Sequence, residues 1–438
     1  GYYSVNLVKS GVKVEVTASA HVAFHRYSYP EDGDILLLVD PQSGLTVNGS
    51  RCLSRVIDHD ICRTGSNTIS GYVRCKEWTE RKYWFVMEFD KEIVRDECAD
   101  SSSYCIKPHL LTFENDGKPL QLKIALSSES VDGARGNLAA EMPGWDFEET
   151  RKAAGMSWKA VTDKIDITGT KEEREIFYSA LYHLYTHPNN IEDCGKPAFY
   201  STLSLWDTYR AACPLYTILS PEITSDIINS MLRQYDRQGF LPIWALWGNE
   251  TYCMIGNHAV PVIADAFLKG IDGVDYIRAY EAVRKSLKKS HRKSDWALYD
   301  RYGYYPCDSV NREAVSRTLE SVYDDHCAML LADGLGYKED AEFFKVRGNY
   351  YRNLFDRGTG FMRGKDSKGQ WRTPFDPYAI GHKPDTDAGD YTEGNAWQYL
   401  WHVLQDPDDL VRLLGGREKF AAKLTEFFTA PPPDTKTC

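Results

Sequence analysis

"DGARGNLAAEMPGWDFEETRKAAGMSWKAVTDKI", residues 132–165, is where the period of the chain changes. Up to about residue 128, apolar and polar residues alternate, as half-buried strands require. From about 129 the apolar residues recur at three- and four-residue spacing, as a helix face requires. A chain that switches period in this way reads as a β domain followed by a helical one. Upstream, "VKVEVTASAHVAFHRYSY", "DILLLVD", "ISGYVRC", "KYWFVMEFD" and "PLQLKIALSS" are short alternating runs between Gly, Asp, Asn and Pro clusters. They predict an antiparallel β-sandwich over residues 1–128, joined by a helical linker at 129–165. Downstream, helical spacing recurs at 171–187, 221–237, 257–270, 273–291, 318–334, 338–356, 393–405 and 417–429. Helical hairpins with long loops predict an α/α toroid over 166–438, whose inner-helix ends and loops build one mouth.

Composition narrows the function classes. An apolar share of 42% over 438 residues is enough for more than one core. A balance of 52 basic against 63 acidic residues gives a net charge of −11, which argues against nucleic acid or an anionic membrane as partner. The 28 Tyr, 17 Phe and 11 Trp suit the stacking of sugar rings and equally suit large cores. Eleven cysteines include no CxxC pair, which argues against structural zinc. Cys98 and Cys105 are close enough in sequence to bridge in an oxidising compartment. No run approaches 18 apolar residues, and the chain opens on strand-like "GYYSV" rather than on a signal peptide.

The sequence holds no GxGxxG, GxxxxGK[ST] or GxSxG motif. Four clusters instead mix aromatics with carboxylates and amides: "LSLWDTYRAACPL" (203–215), "GFLPIWALWGNETYCMIGNHAV" (239–260), "SRTLESVYDD" (316–325) and "DAGDYTEGNAWQYLWH" (387–402). Sugar chemistry asks for such mixtures, because a ring face covers the apolar side of a pyranose while polar groups bind its hydroxyls. Each cluster also has a plain structural reading. Trp206, Asp207 and Arg210 fit a buried ion pair under a packed indole, and Glu250 with His258 fits an internal pair. Asp324 and Asp325 fit helix packing against Arg or Lys. Glu393 fits a first-turn acid, although Glu393, Asn395 and Gln398 together beside Trp397 and Trp401 are unusual for packing alone. In "SRTLESVYDD", Leu319, Val322 and Tyr323 form a core-facing stripe. Glu320, read as lying in the helix's first turn, is expected at the helix edge near the mouth.

Taken together, "GYYSV", "ARGNLAAEMPGWDF", "FYSALYHLYTHPN", "LWDTYR", "LPIWALWGNETYCMIGNHA", "SRTLESVYDDHC", "GFMRGKDSKGQW", "YTEGNAWQYLWHV" and "LLGG" resemble glycoside hydrolase family 92, the calcium-dependent exo-α-mannosidases. The resemblance runs in order through some 400 residues. It implies an N-terminal β-sandwich and an (α/α)6 barrel, and release of terminal α-mannose with inversion. It also implies Ca²⁺ engaging the mannose diol and a mannose-terminated glycan as partner. By this resemblance Glu320 is the general acid, and Trp206, Asp207 and Arg210 line the terminal mannose subsite. Glu250, His258, Glu393 and Asn395 are further substrate-binding candidates, and Gln398 is the expected metal ligand. Secretion or a periplasmic location is implied as well.

The family's G-N-E-P and G-N-D-D segments, which carry metal and base groups, do not occur here; "GNET" at 248–251 belongs to an earlier motif. The toroid is therefore expected to be incomplete at its C-terminal end, the general base to lie outside the chain, and these 438 residues alone to be weakly active. Two rivals remain: a glycan-binding remnant without catalysis, and another toroid enzyme such as a glycoside phosphorylase or polysaccharide lyase. A phosphorylase needs Arg, Lys or His beside the acid, and none is foreseen beside Glu320. A lyase prefers a basic cleft, against which the net charge speaks.

Overall fold

The computed structural model describes residues 1–438 except 32, 42–45, 48–50, 53, 99–107, 311, 381–388 and 431–438. The Cys98–Cys105 bridge rests on residue 105 and lies outside the described residues. The chain divides into two compact units, Gly1–Thr202 with Leu246–Thr251, and Leu203–Ala245 with Tyr252–Cys438.

The first unit is built on a seven-stranded antiparallel sheet. Its spatial order is Tyr2–Leu7, Val12–Ala18, Val22–Ser28, Leu120–Ser127, Arg81–Phe89, Thr68–Glu77 and Ser54–Arg63. A three-stranded antiparallel sheet, Arg95–Cys98, His109–Phe113 and Ile35–Val39, packs on one face. Ile69, Phe85, Phe89 and Leu122 of the large sheet meet Ile35, Leu111 and Phe113 of the small one in a single core. The other face carries Val22, Phe24, Val86 and Ala125, covered by Ala134 and Leu138 of a helix, by Met142 just past its end and by Phe147. Neighbouring residues such as Phe85 and Val86 thus enter opposite cores, as strand alternation dictates. The sandwich predicted from the sequence is present. "VKVEVTASAHVAFHRYSY" is two strands, and the edge strand Ser54–Arg63 was not foreseen, because an edge strand carries little apolar signal.

Three helices belong to this unit: α1 (Val131–Glu141), α2 (Phe147–Thr162) and α3 (Lys171–Leu184). Ser130, Asp146 and Thr170 cap their N-termini, each side chain accepting a backbone N–H of the first turn.

The second unit is helical: α4 (Leu205–Thr208), α5 (Ala212–Leu219), α6 (Pro221–Gln238), α7 (Ala259–Leu268), α8 (Tyr276–Lys288), α9 (Trp296–Tyr302), α10 (Ala314–Gly334), α11 (Lys338–Arg347), α12 (Ala396–Tyr399), α13 (Pro407–Leu413) and α14 (Arg417–Thr429). The 393–405 run contracts to the four residues of α12, and the short α4, α5, α9 and α13 carry too few turns to show a period. Helix α10 is the central element, packed on α7, α8 and α11. Leu319 and Val322 are fully buried, in a core with Tyr351, Leu354, Met362 and Trp397.

α10 begins at Ala314, four residues before the start predicted from the sequence. Its first N–H groups have no partners within the helix and are met by backbone carbonyls instead: Val315 and Ser316 donate to Asp390 O at 3.0 and 3.1 Å. The Ser316 hydroxyl then accepts from Thr392 N at 2.9 Å. These bonds fix the 389–402 stretch against the N-terminal half of α10, where Glu320 lies.

Candidate active site

Glu320 is the seventh residue of α10, beyond the first turn where it was expected, and is fully buried. Five side chains converge on its carboxylate. Oε1 accepts from Trp206 Nε1 at 2.9 Å and from Arg210 Nη2 at 3.0 Å. Oε2 accepts from the Tyr209 hydroxyl at 3.3 Å and lies 3.0 Å from His258 Nε2 and 3.1 Å from His402 Nε2. The two oxygens thus face different surroundings. Arg210 and Trp206 on the Oε1 side are partly exposed, whereas both imidazoles on the Oε2 side are buried.

Local sequence explains the convergence. In "LWDTYR", Trp206, Tyr209 and Arg210 are spaced i, i+3, i+4 across α4 and its end, so they share one face. Asp207 falls on another face, is exposed, and accepts from the Ser204 hydroxyl. The buried Asp207–Arg210 pair considered from the sequence does not form; Arg210 pairs with Glu320. His258 immediately precedes α7 and stacks on Tyr209 with ring centroids 4.0 Å apart. Gly256 makes room for it: a Cβ there would stand 2.3 Å from His258 Nε2. His258 Nδ1 is 2.8 Å from Asp324 Oδ1, and Asp324 Oδ2 accepts from Asn257 N at 2.7 Å. His258 is therefore paired with Asp324 and Glu320. Glu250, its partner in the structural reading, lies half-buried in a short strand that groups with the first unit.

Charge follows from these contacts. Burial alone would raise the Glu320 carboxyl, but the positive fields of His402 and His258 override it and hold the group well below the usual carboxylate range. Burial opposes charge on His258 as well. Asp324 and Glu320 outweigh it, lifting the imidazole to about 9. Burial pushes Asp324 up, partly countered by His258. Asp325 turns away, with Oδ2 taking Arg347 Nε at 3.0 Å and the Tyr299 hydroxyl at 3.2 Å. Burial raises Asp325 to about 7 despite Arg347.

The TEGNAWQ stretch serves α12. Asn395 Oδ1 accepts from Trp397 N and Gln398 N at 3.1 and 3.2 Å, and Gln398 Oε1 accepts from Asn395 N at 3.0 Å, a reciprocal capping box. Glu393 is exposed on a left-handed backbone, φ +47°. A turn, with His402 N donating to Tyr399 O, then brings His402 to Glu320. Among the described residues no three His, Cys, Asp or Glu side chains are grouped to hold a metal ion. The oxygen donors here suit a hard cation in type. However, both amide oxygens are engaged in the capping box, so these residues do not by themselves compose the six to eight ligands of calcium.

Two residues of the cluster escaped sequence reasoning. Tyr209 carried a signal, its i+3 spacing from Trp206. His402 closes the "YTEGNAWQYLWH" stretch without a spacing that marks it. The expectation that no Arg, Lys or His stands beside Glu320 is overturned by Arg210, His258 and His402, which the fold draws from three separate segments. Arg210 donates to Glu320 and His258 Nδ1 meets Asp324, while Nε2 of each imidazole stands within ion-pair distance of Glu320.

Comparison with known proteins bears on this unit and on the first. Residues 133–437 match the model of the glycosyl hydrolase family 92 catalytic domain, and residues 1–127 match that of the family 92 N-terminal domain. A GH92 α-mannosidase of Bacteroides thetaiotaomicron, solved with mannoimidazole, superposes with a TM-score of 0.91 at 34% identity, covering 99% of this chain and 60% of that one. A second protein of that organism, described as a GH92 inverting mannosidase, gives a TM-score of 0.84 at 27% identity, covering 99% of this chain and 61% of its own. A protein of Arthroderma benhamiae, described as an uncharacterized secreted glycosidase, is 26% identical over 97% of this chain and 60% of its own length. The chain thus spans about 60% of the length of these relatives.

Proposed function

This chain belongs to glycosyl hydrolase family 92, and from that premise we propose that it serves the hydrolysis of terminal non-reducing α-D-mannosyl residues of N-glycan or mannan type, with Glu320 as general acid. The observation that carries the reading is the convergence of Trp206, Tyr209, Arg210, His258 and His402 on one buried carboxylate. A carboxyl group held this firmly has a fixed direction, which proton transfer to a glycosidic oxygen requires. The sugar would approach Oε1, where Trp206 offers a ring edge and Arg210 a donor to a hydroxyl. Asp207, Glu250, Glu393 and Asn395 remain proposed contributors to sugar binding. The mannosidase relatives support the substrate class, and the one described as inverting supports that stereochemistry.

Inversion calls for a base carboxylate roughly 6.5–9.5 Å across the sugar from the acid. Asp324 does not fill that role, because it stands behind His258 on the same helix. The reading assigns the base to no residue of this sequence. Calcium, when bound, would polarise the mannose diol, and Gln398 is the ligand proposed from this chain. Secretion is proposed in line with the fungal relative.

The test is hydrolysis of α-mannobiose and aryl α-mannosides with the anomer of the product read by NMR, before and after chelation. Slow release of first-formed β-mannose, lost with Glu320→Gln and lowered by chelator, is the expected result. First-formed α-mannose sinks the inverting assignment. A second reading, sugar binding without turnover, is favoured by one observation: the resting carboxylate of Glu320 is held in its charged form. Calorimetric binding of mannose with no product over long incubation would establish it.

A further inference from the structure

The turn that follows α8 and the first turn of α10 enclose a pocket of about 350 Å³, lined by Ser290, His291, Arg292, Lys293, Tyr305 and Arg317. This is the small end for ligand sites, a size for a compact ion or a single substituent group rather than an oligosaccharide. The walls are fixed. His291 N and Ser294 N each donate to the other's carbonyl at 3.0 Å, which closes the turn. The His291 ring stacks on Phe240 with centroids 4.7 Å apart, and its Nε2 lies 3.1 Å from Asn257 Oδ1. Tyr305 is anchored to α10, its N–H donating to the Thr318 hydroxyl at 3.0 Å.

In a chain of net charge −11, this pocket gathers cations. Lys293 is half-buried and makes no hydrogen bond or ion pair among the described residues. Arg317 stands 3.8 Å from Glu313, and its Nε is buried without a hydrogen bond. Arg292 is exposed and lies over the Tyr252 ring at 5.0 Å, with no carboxylate in ion-pair reach among the described residues. The two nearby carboxylates have other work. Asp295 caps α9, accepting from Leu298 N at 3.0 Å, and Glu313 faces Arg317 alone of these three cations in ion-pair reach. Burial lowers His291 to about 4, so the imidazole adds no charge. Burial, and after it the neighbouring Arg317, press the Lys293 ammonium down from its ordinary value, with Glu313 opposing them. Half-buried cations crowded in this way are costly unless an anion joins them. Guanidinium and ammonium donors converging on one small space suit a tetrahedral oxyanion.

We propose that this pocket is an oxyanion site that takes a phosphate group, free or carried as a monoester on a larger molecule, between Lys293 and Arg317. Those two side chains supply the charge-assisted bonds, and Arg292 closes the rim. The bound group ties the turn after α8 to the first turn of α10, the helix that carries Glu320 one turn further on. The proposal is independent of the general-acid reading.

The test is titration calorimetry of the 438-residue protein with sodium phosphate and with methyl phosphate, at pH 7.5 and constant ionic strength, alongside thermal melts. Saturable binding of phosphate is expected, with a melting temperature that rises with its concentration. Lys293→Gln and Arg317→Gln should each weaken binding about tenfold or more, since each removes a charge-assisted bond. Lys345→Gln, which removes a charge on α11 outside the pocket, should stay within about twofold of wild type. Lys293 has no partner to strand, so Lys293→Gln decides the matter even where Arg317→Gln fails to fold. Methyl phosphate bound as tightly as phosphate identifies a phosphoryl group on a larger molecule as the occupant, and markedly weaker binding identifies the free ion. No saturable binding of either compound overturns the proposal. Unchanged affinity in Lys293→Gln, or an equal loss in Lys345→Gln, overturns it too.

Discussion

Glu320 and Asp324, one turn apart on α10, grip opposite nitrogens of the same imidazole, His258, at 3.0 and 2.8 Å. All three side chains are buried. Two carboxylates at this spacing on a helix repel each other, and the cation between them is what makes their burial tolerable.

Replacing His258 by Asn should therefore destabilise the protein by about 3–5 kcal/mol, since it strands charge in the interior. The imidazole is lifted to about 9 in the folded state, so its stabilisation is complete below the unfolded value near 6.5 and fades as pH rises through 9. Urea denaturation between pH 6 and 9.5 should show wild-type stability declining across that window by about 3 kcal/mol, with the decline absent in His258→Asn. A parallel decline in both proteins would refute the assignment.

Glu320 has the opposite sign. Its carboxyl is held below the usual range, so its stabilisation is present above the unfolded value and is lost as pH falls. Glu320→Gln should flatten the acid limb of the stability profile below about pH 5. An unchanged acid limb would mean that the carboxylate is not charged in the folded protein.

Gly256 tests how tightly this geometry is set. It adopts φ +79°, and a Cβ would fall 2.3–2.8 Å from three atoms of the His258 ring. Alanine there combines a strained backbone with a clash and should lower stability by about 1–3 kcal/mol. The imidazole must shift, so the loss of hydrolysis should follow that of His258→Asn rather than track stability alone. Activity kept at the wild-type level in folded Gly256→Ala would show that the site tolerates a displaced ring.

These relationships divide into those that local spacing reveals and those it does not. The switch of period after residue 128 separated β from helical structure, because alternation and the 3.6-residue period are properties of neighbouring residues. The face shared by Trp206 and Arg210 was equally legible, and it should have exposed Tyr209 and excluded Asp207 as the partner of Arg210. The pairing of His258 with Asp324, and the arrival of His402 at Glu320, depend on segments 66 and 82 residues away along the chain. No local pattern encodes them. The start of α10 was misplaced for a related reason. Two of its first N–H groups are satisfied by the single backbone carbonyl of Asp390 rather than by a Ser, Thr or Asp cap that sequence would display.

Asp325 and Arg347 offer the last test, since they form a second buried pair on the far side of α10. Arg347 reaches Asp325 Oδ2 at 3.0 Å and Leu287 O at 2.9 Å, and its guanidinium lies over Trp296 at 4.5 Å and Tyr299 at 4.9 Å. A planar, stacked cation is not replaced by an ammonium. Arg347→Lys should lose most of what Arg347→Met loses, about 3–5 kcal/mol, because either change removes the stacked guanidinium and its Nε bond to Asp325. Burial raises Asp325 to about 7, so as pH climbs from near 4 to 7 the unfolded chain releases this proton before the folded one does, and stability falls over that window. Removing the cation should extend the fall in stability to higher pH, since Arg347 holds the Asp325 carboxyl down. Asp325→Asn should abolish it while leaving Arg347 short of a charged partner. Thermal melts of the three variants at pH 5 and pH 7.5 separate these outcomes: a Lys variant as stable as wild type at both would show that charge alone, without stacking, holds this side of α10.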